Sequence, residues 1–349
     1  MERYKLYKRI GQGTFGKIYL ARLREAPEQD PLVIKVCPLP REEKERKEVL
    51  GEVAMLSGLH HPCLTRCLES FVDQDKNQLF IVMPHYASGD LSKIIEKNKT
   101  RSSRLPEPVV LEWFVQLLLA VEHLHARRTL HHCSVKSGNV FLTAPGGVGG
   151  KVAALLGDFG VARVLEHSDA GANTQCGTPY YMSPELIEGV AYNHKSDIWA
   201  LGCVLYEMLT LRLPFPASSM AELGNKVLNF APPPLDEKYS AALRAAAVSM
   251  LEKDPKKRPN AEDLLQQPLF QPLVKLNIER WNQDLDLESL PELAKADDSV
   301  DAKAEALKAK AEAALSGTLP TALSPAAEKM ATIIAIASQK ARLCVNDPS

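Results

Sequence analysis

His132-Cys133-Ser134-Val135-Lys136-Ser137-Gly138-Asn139, followed downstream by Asp158-Phe159-Gly160, is the stretch from which this chain is read. Residues 91–157 contain no aspartate. The stretch itself therefore offers no carboxylate, its reading turns on Ser134, Lys136 and Asn139, and Asp158 is the first aspartate to follow. Ahead of it, Pro106 to Arg127 carries Trp113-Phe114-Val115-Gln116-Leu117-Leu118-Leu119-Ala120, which predicts a long helix apolar enough for the centre of a lobe. Behind it, Val140-Phe141-Leu142 reads as a short strand, and Pro145-Gly146-Gly147-Val148-Gly149-Gly150 as a hairpin tip.

Toward the N-terminus, Tyr4-Lys5-Leu6-Tyr7-Lys8-Arg9-Ile10 alternates as a strand does and feeds Gly11-Gln12-Gly13-Thr14-Phe15-Gly16-Lys17-Ile18. A lone Gly-x-Gly-x-x-Gly is a weak signal, and a dinucleotide site needs it to open a helix. Here it opens Ile18-Tyr19-Leu20-Ala21-Arg22, a second alternating strand, so the glycines belong to a hairpin. Glycines let backbone amides close over phosphates, with Phe15 at the tip; the bland alternative is a plain turn cluster. Leu32-Val33-Ile34-Lys35-Val36 reads as a third strand. A lysine inside an apolar run has a specific partner unless its strand lies at an edge, facing water. Residues 41–59 predict an amphipathic helix with Val49, Val53, Leu56 and Leu59 on its buried face and Glu52 beside it. His60-His61-Pro62 ends that helix as a turn, since no Cys or carboxylate stands at metal-ligand spacing. Leu79-Phe80-Ile81-Val82-Met83 is a buried strand, and Asp90 suits an N-cap for a helix from Leu91 better than a ribose partner.

Composition narrows the class. The 349 residues suffice for a two-lobed domain and an appendage, with 45% hydrophobic and 24% charged residues as in globular proteins. A net charge of −1 gives no electrostatic case for nucleic acid or an anionic membrane. No apolar leader is expected at Met1–Lys5, nor a membrane span, which needs a run of ~18 apolar residues. Seven scattered cysteines without a Cys-x-x-Cys suit reduced thiols and a cytoplasmic location.

Downstream, Gly177-Thr178-Pro179-Tyr180-Tyr181-Met182-Ser183-Pro184-Glu185, then Lys195–Met208, then Asp254-Pro255-Lys256-Lys257-Arg258-Pro259 complete an ordered series. The series resembles the protein kinases, and residues 177–185 and 195–208 resemble the NIMA-related (NEK) Ser/Thr kinases. The resemblance implies an α+β, bilobal protein kinase fold over residues 4–271. Its small β-rich N-lobe would span 4–83, its hinge 84–90 and its larger helical C-lobe 91–271.

Implied cofactors are ATP and Mg2+. Ile10, Gly11, Gln12, Gly13, Thr14, Phe15, Gly16, Lys17 and Ile18 would form the nucleotide loop, and Lys35, paired with Glu52, would hold the α- and β-phosphates. Met83, Pro84 and Tyr86 would meet the adenine, with the Pro84 carbonyl accepting and the Tyr86 amide donating. Leu142 would floor the adenine, and Val33 would roof it where the family has alanine. Asn139 and Asp158 would ligate the metal, and Lys136 would serve the catalytic loop. In the family, Asp197 ties down that loop's backbone, Glu185 pairs with Arg258, and Thr178 offers a hydroxyl to the catalytic aspartate.

Two positions depart from the pattern. Ser134 stands at the catalytic base and Cys133 at the arginine before it. Serine is shorter, uncharged and far too weakly acidic to act as a base near neutrality. Lost general-base work costs ~10²–10⁴ in rate, or ~3–5 kcal/mol of barrier. Without the arginine, a phosphate on Thr174 would meet only Arg163 or basic residues of the 41–59 helix. Three functions fit: an ATP-binding pseudokinase acting as scaffold or allosteric partner, a weak Ser/Thr kinase, or a small-molecule phosphotransferase. The intact peptide-facing segment 177–185 disfavours the last. The implied partners are a protein substrate or binding protein, with neither nucleic acid nor membrane.

The tail, 272–349, changes character. Residues 284–298 are acidic, Val300–Leu315 is alanine-rich and helical by propensity, and Ser324-Pro325 opens another helix. The stripe Met330, Ile333, Ile334, Ala337 and Ala341 needs a partner surface, through docking on the domain or self-association.

Overall fold

A computed structural model describes residues 2–13, 16–126, 135–144, 152–157, 180–190 and 193–284, without the side chains of Gly13, Glu52, Met55, Leu56 and 282–284. These residues form two compact units, one up to Tyr86 and the other from Ala87 onward.

The first unit is β1 (Tyr4–Gly13), β2 (Gly16–Leu23), β3 (Leu32–Pro38), α1 (Glu43–Ser57), β4 (Glu69–Asp73) and β5 (Gln78–Pro84). All strand pairs are antiparallel, in the order β1-β2-β3-β5-β4. Alternation sorts the side chains onto two faces. Tyr4, Ala21, Ile34, Val36, Phe80 and Val82 form the core of one face. There Phe71 stacks on Phe80 at 5.1 Å and on Tyr4 at 6.1 Å, a belt worth more than its area alone. Arg3 and Tyr4 both reach Glu69, tying the start of β1 to β4. The helix expected over 41–59 runs from Glu43 to Ser57 and buries Val49 and Val53. Arg46 fastens it to the β4–β5 turn through Asn77 and through Gln74 at 2.8 Å.

The second unit is α2 (Leu91–Thr100), α3 (Glu107–Ala126), a 3-10 turn (Ser137–Asn139), the hairpin β6 (Val140–Leu142) and β7 (Ala154–Leu156), and six further helices. These are α4 (Pro184–Ile187), α5 (His194–Thr210), α6 (Met220–Asn229), α7 (Ala241–Met250), α8 (Ala261–Leu265) and α9 (Gln271–Asp284). α3 and α5 are its core. α3 packs against α5, α8, α9 and β7, and buries Phe114, Val115 and Leu117–Leu119. α3 is long and apolar enough to cross a membrane by length and composition, but two thirds of that window is buried within the fold. Its Gln116 also serves interior partners, accepting from Ala154 N–H at 2.7 Å and donating to Asn277 at 3.1 Å. That is the behaviour of a core helix.

Helix starts follow local chemistry. The side chains of Asp90, Asn193, Ser219 and Ser240 cap α2, α5, α6 and α7, each accepting a first-turn backbone N–H. Gly202 is needed where α5 meets α7, since a Cβ there would lie 2.8 Å from Met250 Cβ. The helical unit also runs past residue 271. Gln271–Asp284, assigned from sequence to the tail, is a helix with Val274, Ile278 and Trp281 buried. Its apolar spacing is masked by Lys275, Asn277, Glu279 and Arg280, of which Asn277 and Arg280 bond to α3.

Candidate active site

In the first unit the glycine stretch is a hairpin, with Gly11 opposite Ile18, Gln12 opposite Lys17 and Gly13 opposite Gly16. Gly16 cannot be replaced without movement, because a Cβ there would sit 2.2 Å from the Val36 carbonyl oxygen. Ile10 is 45% exposed beside the hairpin. Thr14 and Phe15 lie outside the described residues.

Lys35 sits on β3, the central strand, and is 7% exposed, so the edge-strand alternative fails. Its register neighbours are Ile18 on β2 and Ile81 on β5; Val33, two residues earlier, lies between Leu20 and Met83. Directly opposed residues share a face. Gly11, Ile18, Val33, Lys35 and Met83 thus line the face opposite the Tyr4–Phe71–Phe80 belt. A buried ammonium on an otherwise apolar face is costly without an anionic or polar partner, as a phosphate-binding lysine would have. Glu52 falls on α1, though its side chain lies outside the described residues. Pro84 closes β5 opposite Leu32, and burial lifts the Tyr86 phenol to about 12 against an opposing effect of Arg66.

In the second unit, Asn139 is 6% exposed and ends the 3-10 turn, its N–H bonded to Lys136 C=O at 2.9 Å. The Asn139 carbonyl accepts Gly157 N–H at 2.9 Å, which fixes the residue preceding Asp158 beside it. Asp158 itself lies outside the described residues, as do Cys133, Ser134, Arg163, Thr174 and Thr178. Lys136 is exposed. Leu142 is buried on β6, and its N–H bonds to Gly89 C=O at 3.0 Å. Asp90 caps α2 through Lys93 N–H and pairs with Lys93 Nζ at 2.8 Å, as a cap residue does.

Three polar contacts join elements of this unit. Asp197, 1% exposed, pairs with His125 Nε2 at 2.9 Å. Glu185 and Arg258 form a buried two-pronged pair at 2.9 and 3.1 Å, and Ser196 donates to Glu185 at 2.7 Å. Burial alone would raise the Glu185 carboxyl, but the bonds from Arg258 and Ser196 outweigh it and hold the group below its usual range. The third contact escaped sequence reasoning. Tyr181 donates to Glu207 at 2.7 Å and meets the Ser137 hydroxyl at 3.0 Å, joining the segment before α4, helix α5 and the 136–139 turn. Burial pushes both the Tyr181 phenol and the Glu207 carboxyl up. The only signal was a polar Glu207 within an apolar helix.

Taken unit by unit, the donors are of the kind a magnesium nucleotide takes: a glycine hairpin and a buried lysine amine in the first, a buried carboxamide in the second. The family model for the protein kinase domain matches residues 4–270. Serine/threonine-protein kinase Nek1 of Mus musculus is 42% identical over 267 residues, covering 76% of this chain and 21% of that protein. Serine/threonine-protein kinase Nek5 of Mus musculus is 39% identical over 274 residues, 78% of this chain and 41% of that protein. The probable serine/threonine-protein kinase nek2 of Dictyostelium discoideum is 35% identical over 268 residues, 76% of this chain and 62% of that protein. The chain therefore spans less than two thirds of the length of each of these relatives.

Proposed function

The chain belongs to the protein kinase family, with a Nek-type Ser/Thr kinase domain, and on that premise we propose that it binds Mg·ATP but transfers the γ-phosphate poorly, acting chiefly as a pseudokinase scaffold or allosteric partner. Protein kinases in general use ATP and Mg2+ and act on proteins, and the buried Lys35 on the central strand supports nucleotide binding here. The observation that carries the reading is Ser134, which leaves no carboxylate on the loop to orient an acceptor hydroxyl and take its proton.

A weak Ser/Thr kinase is the second reading. The Tyr181–Glu207–Ser137 linkage favours it, because the peptide-facing side of the loop stays braced although the base position is emptied. The apolar stripe after Pro325 serves protein contact, by docking or self-association. The cysteine pattern suits the cytoplasm.

Transfer from labelled ATP to generic protein substrates tests the proposal. Kinases of this type turn over at roughly 1–100 s⁻¹. The wild-type chain should fall below that range by ~10²–10⁴. A rate inside the ordinary range would mean that another residue supplies the base, and the pseudokinase reading would be wrong.

A further inference from the structure

α6 ends at Asn229, and the chain then reads Phe230-Ala231-Pro232-Pro233-Pro234-Leu235-Asp236 before α7 begins at Ala241. Each proline holds its own φ near −65°, and a residue that precedes a proline is pushed to extended backbone. Ala231, Pro232 and Pro233 all precede prolines, and Phe230 is itself extended, with φ −119° and ψ 144°. Residues 230–236 form neither helix, strand nor turn. The conformation left to such a run is the polyproline II helix, with three residues per turn.

Exposure follows that period. Pro232 and Leu235, three positions apart, are half-buried, whereas the pairs Phe230 with Pro233 and Ala231 with Pro234 are exposed. One edge of the three-sided helix is thus laid on the unit, and two face outward. Leu235 packs on the core of Trp199, Tyr206 and Phe215, and the Tyr206 hydroxyl donates to the Pro233 carbonyl at 3.1 Å. Both ends are tied. Phe230 N–H bonds to Lys226 C=O at 3.0 Å, and Asp236 pairs with Arg104 at 3.5 Å. Prolines alone would stiffen a loop, but stiffness needs no aromatic ring in water. Phe230 is 56% exposed, on the same edge as Pro233.

We propose that residues 230–234 are a ligand ridge for a partner protein whose groove is lined by aromatic rings. Such a groove takes a preformed polyproline II helix from one side, which suits a segment whose third edge already rests on its own fold. Phe230 and the bare Pro233-Pro234 pair would fill its pockets. A free peptide must lose chain entropy to reach this shape, and here the fold supplies the ordering beforehand. The recognition needs no phosphoryl transfer and does not rest on the nucleotide site, so it stands apart from the reading of Ser134.

Titration calorimetry of the folded full chain against a panel of isolated SH3, WW and EVH1 domains tests this. At least one domain should bind saturably and be displaced by a synthetic peptide of residues 229–237. The free peptide should bind about fivefold more weakly than the chain, because it is not ordered in advance. Phe230→Ser and Pro234→Ala, at exposed positions, should each weaken binding roughly tenfold without moving the melting temperature. Should either variant melt early, the peptide carrying the same change supplies the comparison. Val248→Ser, which removes an apolar side chain 55% exposed on α7, should leave binding unchanged. Three results would overturn the proposal: no domain of the panel binds, binding is indifferent to both ridge variants, or the peptide binds and the folded chain does not.

Discussion

Ser134→Asp is expected to raise the rate of protein phosphorylation by ~10²-fold or more. The effect should be large because the described residues around Asn139 are held by hydrogen bonds. Asn139 keeps its carbonyl bonded to Gly157, so the turn and the approach to Asp158 are fixed together. The 136–139 turn is braced through Ser137 to Tyr181 and Glu207, and Asp197 is buried against His125. On the proposed reading the base is what Ser134 fails to supply, and aspartate would return it. Cys133→Arg added to Ser134→Asp should help further only when Thr174 carries phosphate, since the arginine's task in the family is to bind that group. Single-turnover transfer by wild type, single and double variants at matched folding decides the matter. Equal rates in all three, with ATP bound, would point to another defect. Val33, set between Leu20 and Met83 on the Lys35 face, is the first suspect.

Arg258→Met should cost the fold ~3–5 kcal/mol, because it strands Glu185 as an uncompensated buried charge. Both side chains are almost wholly enclosed, and Arg258 also covers the Trp199 ring at 5.2 Å. Removing Glu185 in the same chain, as Glu185→Met with Arg258→Met, should recover much of the loss, since a buried ion pair replaced by apolar side chains is often near neutral. Chemical denaturation of the three proteins measures this. A single variant as stable as wild type would show that the pair is not a strut of the helical unit. The pH sign follows from the depressed Glu185 carboxyl. Its stabilisation is present above the ordinary carboxylate pKa and is lost as pH falls through the lower folded value.

How far the sequence could be read depended on whether a feature was local. The glycine stretch opens a strand with clear alternation, and β1 and β2 pair through it as expected. The helix expected over 106–127 is described from Glu107 to Ala126, because an apolar run from Trp113 to Val121, broken only at Gln116, leaves little choice. Glu185 and Arg258, distant in sequence, were paired by family resemblance rather than by pattern, and the structure joins them. Relations between distant positions without such a motif stayed hidden. Tyr181, Glu207 and Ser137 look like three unrelated polar residues until the fold brings them together. α9 was missed because polar residues that bond to α3 interrupt its apolar stripe. That Lys35 is central rather than at an edge required the strand order, which no single strand reveals.

The central claim is that this chain holds Mg·ATP while lacking the base, and nucleotide binding tests it most directly. Melting and titration calorimetry should be run on wild type and Lys35→Met, with and without Mg2+. At a hundred times its dissociation constant, ATP should stabilise wild type by ~2.7 kcal/mol. For a domain of this size that is a melting shift of roughly 5–10 °C. Omitting Mg2+ should weaken the effect, and Lys35→Met should remove most of it. A flat melting curve and no heat of binding at saturating Mg·ATP would contradict the account and leave a protein that uses the kinase fold without its nucleotide.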